Sequence, residues 1–271
     1  MEIIFNAVSF NYNVGLINEE QVLKNINLSF ESGKIYGITG KSGSGKTTLI
    51  QLIKGVILPT SGNIVIDKKI VNKSSKFYEN KKIGYVPQFS EDYFLEDSVD
   101  KELGYIVGNN TYIKLNSLNM VGLSEDYMNK KINELSFSDK RLISIAATLT
   151  YAPRVLILDE PGLGLDKFNK EKLIKLLKNI NNKYKVTIII VSHDINLLNK
   201  IVSEIIILKD GKILSQGSKE DIFKKTSLLN KNNIESPKIL DFINLVQKEK
   251  NIKLGSYDDV RDLIKAVYRN V

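Results

Sequence analysis

The 271-residue chain has no cysteine, no tryptophan, one histidine and five prolines. Without cysteine it can build neither a disulfide framework nor a thiolate metal site. The single histidine, His193, excludes a metal centre made from several imidazoles. No apolar run approaches the ~20 residues needed to cross a bilayer. The longest, such as residues 186–191, have the length of a buried strand. Residues 1–5 lack a basic stretch followed by an apolar core, so no signal peptide is expected and the cytosol is the default compartment. The net charge is +8, but the lysines are spread along the chain among Asn and Ile. No basic stripe interleaves with aromatics, which argues against a nucleic-acid footprint.

The chain is rich in one short pattern. Gly40-Lys41-Ser42-Gly43-Ser44-Gly45-Lys46-Thr47 fits G-x-x-x-x-G-K-[ST], a phosphate-binding loop. Residues 34–39 read as a buried strand entering it, and residues 48–53 as a helix leaving it. Glycines let backbone N–H groups turn inward around phosphate oxygens. The new helix points its positive end at the same anion. Lys46 is placed to reach the β- and γ-phosphates, and the Thr47 hydroxyl to hold Mg²⁺.

The remaining pattern is α/β, long enough for one large domain plus a small appendage. Residues 2–5, 8–12 and 25–30 alternate as antiparallel strands. Residues 59–62 form a turn before a strand at 63–67, and residues 82–87 make another short strand. Residues 91–150 carry helical spacing. A strand at 154–159, a helix at about 168–183 and a strand at 188–191 follow. Asp210-Gly211 between apolar runs is a hairpin signal. The Asn-rich stretch 229–234 reads as a linker. Pro237 opens a helical tail, with Ser256 as a second N-cap before Tyr257, Asp258 and Asp259.

The strand ending in Asp159-Glu160 supplies the second chemical element. A strand buried on both faces delivers its last side chains to the ligand crevice of a parallel sheet. Asp159 is placed to hold Mg²⁺ and Glu160 to orient or deprotonate a water attacking the γ-phosphate. Asp159 follows Lys46 by 113 residues, and Pro161 ends the strand.

With these elements in order, residues 1–225 resemble the ATP-binding subunits of ABC transporters. Residues 40–47 match Walker A and residues 156–160 Walker B. Gln88 stands at the Q-loop position and residues 162–166 at the D-loop. Ser192-His193-Asp194 resembles the switch-histidine segment, and Tyr12 falls where the family stacks an aromatic ring on adenine. The resemblance implies an ATPase cassette: a RecA-like parallel sheet core, an antiparallel β-subdomain and a helical subdomain at about 91–150. Residues 1–228 would form this domain and residues 229–271 a C-terminal helical extension serving dimerisation.

The implied cofactors are ATP and Mg²⁺. Catalysis falls to Glu160, His193, Gln88 and Lys46, and the metal to Thr47, Gln88 and Asp159. Nucleotide contacts fall to Tyr12, Gly40, Lys41, Ser42, Gly43, Ser44, Gly45, Lys46, Thr47, Thr48, Asp166 and Ser136. Asp166 also suits a helix cap.

The family signature Leu-Ser-Gly-Gly-Gln is replaced here by Leu135-Ser136-Phe137-Ser138-Asp139. In the family this segment contacts the γ-phosphate held by the opposite subunit. Here both glycines are lost and a negative charge stands near an anion. One half of an asymmetric pair is therefore expected, with a heterodimer favoured over a homodimer.

Residues 88–99 and the tail are similar to energy-coupling factor (ECF) ATPases, with Glu91, Ser98 and Val99 fitting and Phe89, Ser90 and Tyr93 departing. That branch implies an importer of a micronutrient on the inner face of the cell membrane. Its partners would be a second ATPase, a membrane coupling subunit and a substrate-binding membrane subunit. Another ABC importer or metal transporter is the alternative. A soluble clamp protein is a second, and the single cassette and short Walker A–B spacing oppose it.

Overall fold

The computed structural model describes residues 1–71, 82–250, 255 and 260–270. Strands β1 (Ile3–Tyr12) and β2 (Glu20–Phe30) pair antiparallel, and β3 (Ile35–Thr39) runs through the 40–45 loop into α1 (Lys46–Lys54). Strands β4 (Ser61–Ile66) and β5 (Lys69–Ile70) return beside β1. After β6 (Ile83–Val86) comes a helical stretch of α2 (Val99–Val107), α3 (Thr111–Met120) and α4 (Phe137–Leu149). Then β7 (Val155–Asp159), α5 (Lys167–Tyr184), β8 (Thr187–Val191) and α6 (Ile195–Ile201) alternate. A hairpin of β9 (Glu204–Lys209) and β10 (Lys212–Ser218) precedes α7 (Lys219–Phe223), α8 (Thr226–Lys231), α9 (Lys238–Lys250) and α10 (Val260–Asn270). No helix among the described residues is long and apolar enough to cross a membrane.

The strands form two sheets, ordered β2-β1-β4-β5 and β10-β9-β3-β8-β7-β6. The second is parallel from β9 to β6, with β10 antiparallel at its edge. Its central strands are apolar at nearly every position because both faces are covered. Alternate side chains point to opposite faces. Leu156, Leu158, Ile188 and Ile190 join one core with α4 and α5. Val155, Ile157, Ile189 and Val191 join another with α1 and the β1–β2–β4 sheet. Asp159 shares the parity of Val155 and Ile157, so the register aims it at the α1 side.

Three differences from the sequence expectation have local causes. The segments 2–5 and 8–12 are one strand, bent by a bulge where the register shifts between Phe5 and Val8. Ala7 sits there with φ 49°, and its N–H donates to Asn27 Oδ1 at 2.9 Å. The extra residue breaks the period of two that marks a continuous strand. The turn at 59–62 is shorter than expected, because Ser61 already pairs with Ser9. The linker stretch is partly helical, since α8 runs to Lys231 and Leu229 is fully buried. The Asp210-Gly211 hairpin forms as expected, both residues having positive φ. The Ser256 cap with Tyr257, Asp258 and Asp259 lies outside the described residues.

Candidate active site

The 40–47 loop leaves β3 with left-handed backbone that only glycine adopts freely. Gly40 has φ 151°, and a Cβ there would lie 2.1 Å from the Leu208 carbonyl oxygen. Gly45 has φ 101° at the N-cap of α1, and a Cβ there would meet Leu23 Cδ2 at 2.7 Å. No side chain caps α1, and its first turn has no acidic residue. Its N-terminal donors and dipole therefore face the loop's own concavity. Lys46 Nζ donates to the carbonyls of Gly40 (2.7 Å) and Lys41 (2.9 Å). Burial lowers the pKa of Lys46, against the pull of Glu160 and Asp159. Ser44 Oγ is buried with no hydrogen-bond partner among the described residues.

A cleft of about 540 Å³ opens beside the loop. Tyr12, Ser42, Gly43, Gly45, Lys46, Thr47, Thr48, Gln88, Asp159, Glu160 and His193 all line it. Residues from five separate stretches of the chain thus converge on one space. The Tyr12 hydroxyl lies 3.3 Å from Thr48 Oγ1 and donates to Gln51 Oε1 at 3.1 Å, while its ring stands edge-on to Phe10. Burial and the neighbouring Glu160 raise the pKa of Asp159, against the Tyr85 hydrogen bond, Lys46 and His193. The Tyr85 phenol, which donates to Asp159 Oδ2 at 3.4 Å, is pushed up to about 12 by burial and by Asp159. The Glu160 oxygens accept from Ser192 Oγ (2.8 Å) and the His193 N–H (2.9 Å), with His193 Nε2 at 3.8 Å from Oε1.

The donor set fits a magnesium nucleoside triphosphate. Lys46 and the loop amides suit phosphate oxygens, while Gly40, Lys41 and the buried Ser44 do not line the cleft. Thr47, Gln88 and Asp159 offer hard oxygens, and no group of three His, Cys, Asp or Glu among the described residues forms a complete metal cage. That is how Mg²⁺ is usually held, by few protein ligands plus phosphates and water.

Ser136 and Asp166 do not line this cleft. Each caps a helix: Asp166 accepts the Asn169 N–H at 2.8 Å, and Ser136 accepts the Asp139 N–H at 3.1 Å. Ser136 also donates to Asp139 Oδ2 at 2.9 Å. Phe137 covers Gly164, where a Cβ would lie 3.0 Å from its ring. Arg141, one turn further along α4 and fully buried, donates to the Gln88 carbonyl at 2.9 Å. Sequence reasoning missed Glu20 and Val22, which β2 brings to the cleft wall. It also gave Ser192 no role of its own, although its place beside His193 was a signal.

A parallel sheet with a phosphate loop at its crevice and two carboxylates at the end of the neighbouring strand define a P-loop ATPase cassette. A family model described as ABC transporter matches residues 23–162, and the chain belongs to that family. It is an ABC ATPase, with ATP hydrolysis as its activity. A second model, described as an AAA domain, putative AbiEii toxin, matches residues 129–199 within the same cassette.

Among curated relatives, the energy-coupling factor transporter ATP-binding protein EcfA2 of Acetivibrio thermocellus is 34% identical, over 88% of each chain. EcfA2 of Staphylococcus aureus is 32% identical over 99% of this chain and 98% of its own. These relatives bear out the resemblance to ECF ATPases. Among solved structures, cbiO1 from Clostridium perfringens, part of the ABC transporter complex cbiONQ, superposes with a TM-score of 0.77 at 29% identity, covering 89% of this chain and 98% of that one. The ATP-binding cassette MJ0796, dimeric and bound to ADP and Pi, gives 0.68 at 30% identity, covering 80% and 98%.

Proposed function

We propose that this chain is the ATP-binding subunit of an ECF-type importer, bound peripherally to the inner face of the cell membrane and driving micronutrient uptake. The observation that carries the reading is the convergence of Lys46, Thr47, Gln88, Asp159, Glu160 and His193 on one cleft, while Ser136 and Asp166 stand outside it. Half a catalytic site faces inward, and the residues that would complete a second half-site face elsewhere. A partner ATPase supplies the missing half.

Lys46 and the loop amides hold the phosphate chain, and Tyr12 faces the base. Thr47, Gln88 and Asp159 would hold Mg²⁺, which would supply positive charge at the phosphate oxygens. Glu160 accepts a hydrogen bond from the attacking water and takes its proton as the new phosphorus–oxygen bond forms and the bond from the γ-phosphorus to the β,γ-bridging oxygen breaks, with ADP as the leaving group. His193 donates to the γ-phosphate.

The Ser136–Asp139 segment is the weak half of the partner's site, because a carboxylate occupies the position from which the helix N-terminus would meet phosphate. A heterodimer follows as the favoured assembly. A groove of about 270 Å³ beside Gln88, lined by Tyr85, Tyr93, Phe94 and Tyr105 among others, is where helices of a membrane coupling subunit would seat. Residues 229–271, with Phe242, Leu245, Ile264 and Tyr268 exposed, would pair the two ATPases, and residues 1–228 form the catalytic domain.

Turnover should rise several-fold when the chain is mixed with a second ECF-type ATPase subunit from the same organism. In that pair, Glu160→Gln should abolish turnover and leave a closed, ATP-loaded dimer visible by size-exclusion chromatography. Full-speed turnover by the chain alone as a homodimer would sink the asymmetric reading, and parental turnover by Glu160→Gln would sink the assignment of the carboxylate.

A further inference from the structure

The Glu160 carboxylate is held by the segment after β8. Ser192 Oγ donates to Glu160 Oε2 at 2.8 Å, and the His193 N–H donates to Oε1 at 2.9 Å. The same Ser192 Oγ accepts the Asp194 N–H at 3.1 Å. A hydroxyl has one proton, and an ionised carboxylate only accepts. The Asp194 N–H therefore leaves the Ser192 proton to Glu160, and the direction of the bond is set. Ser192 is 1% exposed, so its hydroxyl has no access to competing water. Its own N–H donates to the Ile38 carbonyl at 3.1 Å, which pins it to the strand that feeds the phosphate loop.

The support continues behind Ser192. Asp194 caps α6 by accepting the Leu197 N–H at 2.9 Å and pairs with Lys170 Nζ at 2.7 Å. Burial alone would raise Asp194, but Lys170 and the backbone donors outweigh it and keep the carboxyl below its usual range. Lys170 lies in the first turns of α5, whose N-cap is Asp166. Glu160 has φ 46°, and its N–H donates to the Val191 carbonyl at 2.8 Å. A bulky residue in the left-handed region persists where its surroundings over-determine it.

We infer that Ser192 is a positioning residue for hydrolysis, whose hydroxyl aims the Glu160 carboxylate into the cleft as the last link of a Lys170–Asp194–Ser192–Glu160 chain. The inference rests on the reading of Glu160 as the carboxylate that handles the attacking water. Ser192 does not line the cleft, so its removal acts on the aim of Glu160 and leaves nucleotide contacts in place. Small misplacements of a reacting group cost rate far more than affinity.

Steady-state ATPase kinetics of the full chain, assembled with its partner ATPase, test this. Ser192→Ala should lower kcat by roughly 10- to 100-fold, with KM for ATP and nucleotide affinity within about twofold of the parent. Ser192→Thr keeps the hydroxyl and should recover most of the rate. A parental kcat for Ser192→Ala, with Glu160→Gln inactive, overturns the positioning role and leaves Glu160 standing. Parental turnover by Glu160→Gln overturns the reading of Glu160 itself. Loss of nucleotide affinity in step with kcat, unrescued by Ser192→Thr, marks a purely structural role and also overturns the inference.

Discussion

The loop around Lys46 and the helix start around Ser136 both present hydrogen-bond donors where an anion would approach, and they differ in what those donors already hold. At α1 the N-terminus has no side-chain cap and no acidic residue in its first turn, and Lys46 rests on neutral carbonyls. An arriving phosphate displaces only carbonyl contacts there. At α4 the Ser136 hydroxyl is engaged both ways with Asp139, as acceptor from its N–H and donor to its carboxylate. The helix N-terminus carries its own anion, which stabilises the helix by about 0.3–1 kcal/mol. Phe137 beside it is packed on Gly164. One terminus is held ready for a ligand, and the other is already satisfied within the chain. Helix termini of the same kind can thus serve binding or local stability, depending on a single carboxylate.

Breaking the open side should have the largest effect. Lys46→Ala removes the cation proposed to meet the phosphates and should reduce ATPase turnover by about 100-fold or more, on the scale of losing a charge-stabilising group. Calorimetric titration with ATP should show weak or lost binding, and unchanged affinity with unchanged turnover would contradict the role of Lys46.

Opening the closed side should act in the reverse direction and more modestly. Phe137→Gly, Ser138→Gly and Asp139→Gln together free the Ser136 hydroxyl and let backbone approach an anion. Turnover of the assembled pair should rise roughly tenfold, less than the ~3–4 kcal/mol that one well-placed donor can supply, because Gly164 loses its aromatic cover. No increase in the single-turnover rate would mean that the carboxylate is not what distinguishes the two termini.

The smallest effect concerns the base end of the cleft. Tyr12→Ala should weaken ATP binding roughly tenfold, within the range of stacking on an aromatic ring. Tyr12→Phe removes only the hydroxyl contacts to Thr48 and Gln51 and should change affinity by about twofold to threefold. Equal losses for both variants would assign the contribution to the hydroxyl instead of the ring.

Much of this was legible in the residues alone, because the chemistry there is local. A phosphate loop needs glycine where the backbone turns left-handed, and Gly40 and Gly45 do so in the fold. Apolar runs of strand length at β7 and β8 signalled burial on both faces, and the doubled carboxylate at 159–160 marked the crevice. The bulge at Ala7 was not legible, since its donor is satisfied by Asn27, a residue on another strand. The same holds for Glu20 and Val22, whose place at the cleft depends on how β2 crosses the loop.

Motif order along 271 residues was enough to define an ABC ATPase and to pick out residues from Lys46 to His193 that the fold brings to one cleft, since each motif is set by contacts within a few residues of itself. Which donors are already spent could be read only in three dimensions. The hydroxyl of Ser192 commits to Glu160 because β7 and β8 lie side by side in register, with Asp159 opposite Val191. The fully buried Arg141 reaches the Gln88 carbonyl because α4 packs across the end of β6. Hydrogen bonds between residues 32 or 53 positions apart depend on packing, and no local pattern encodes their direction.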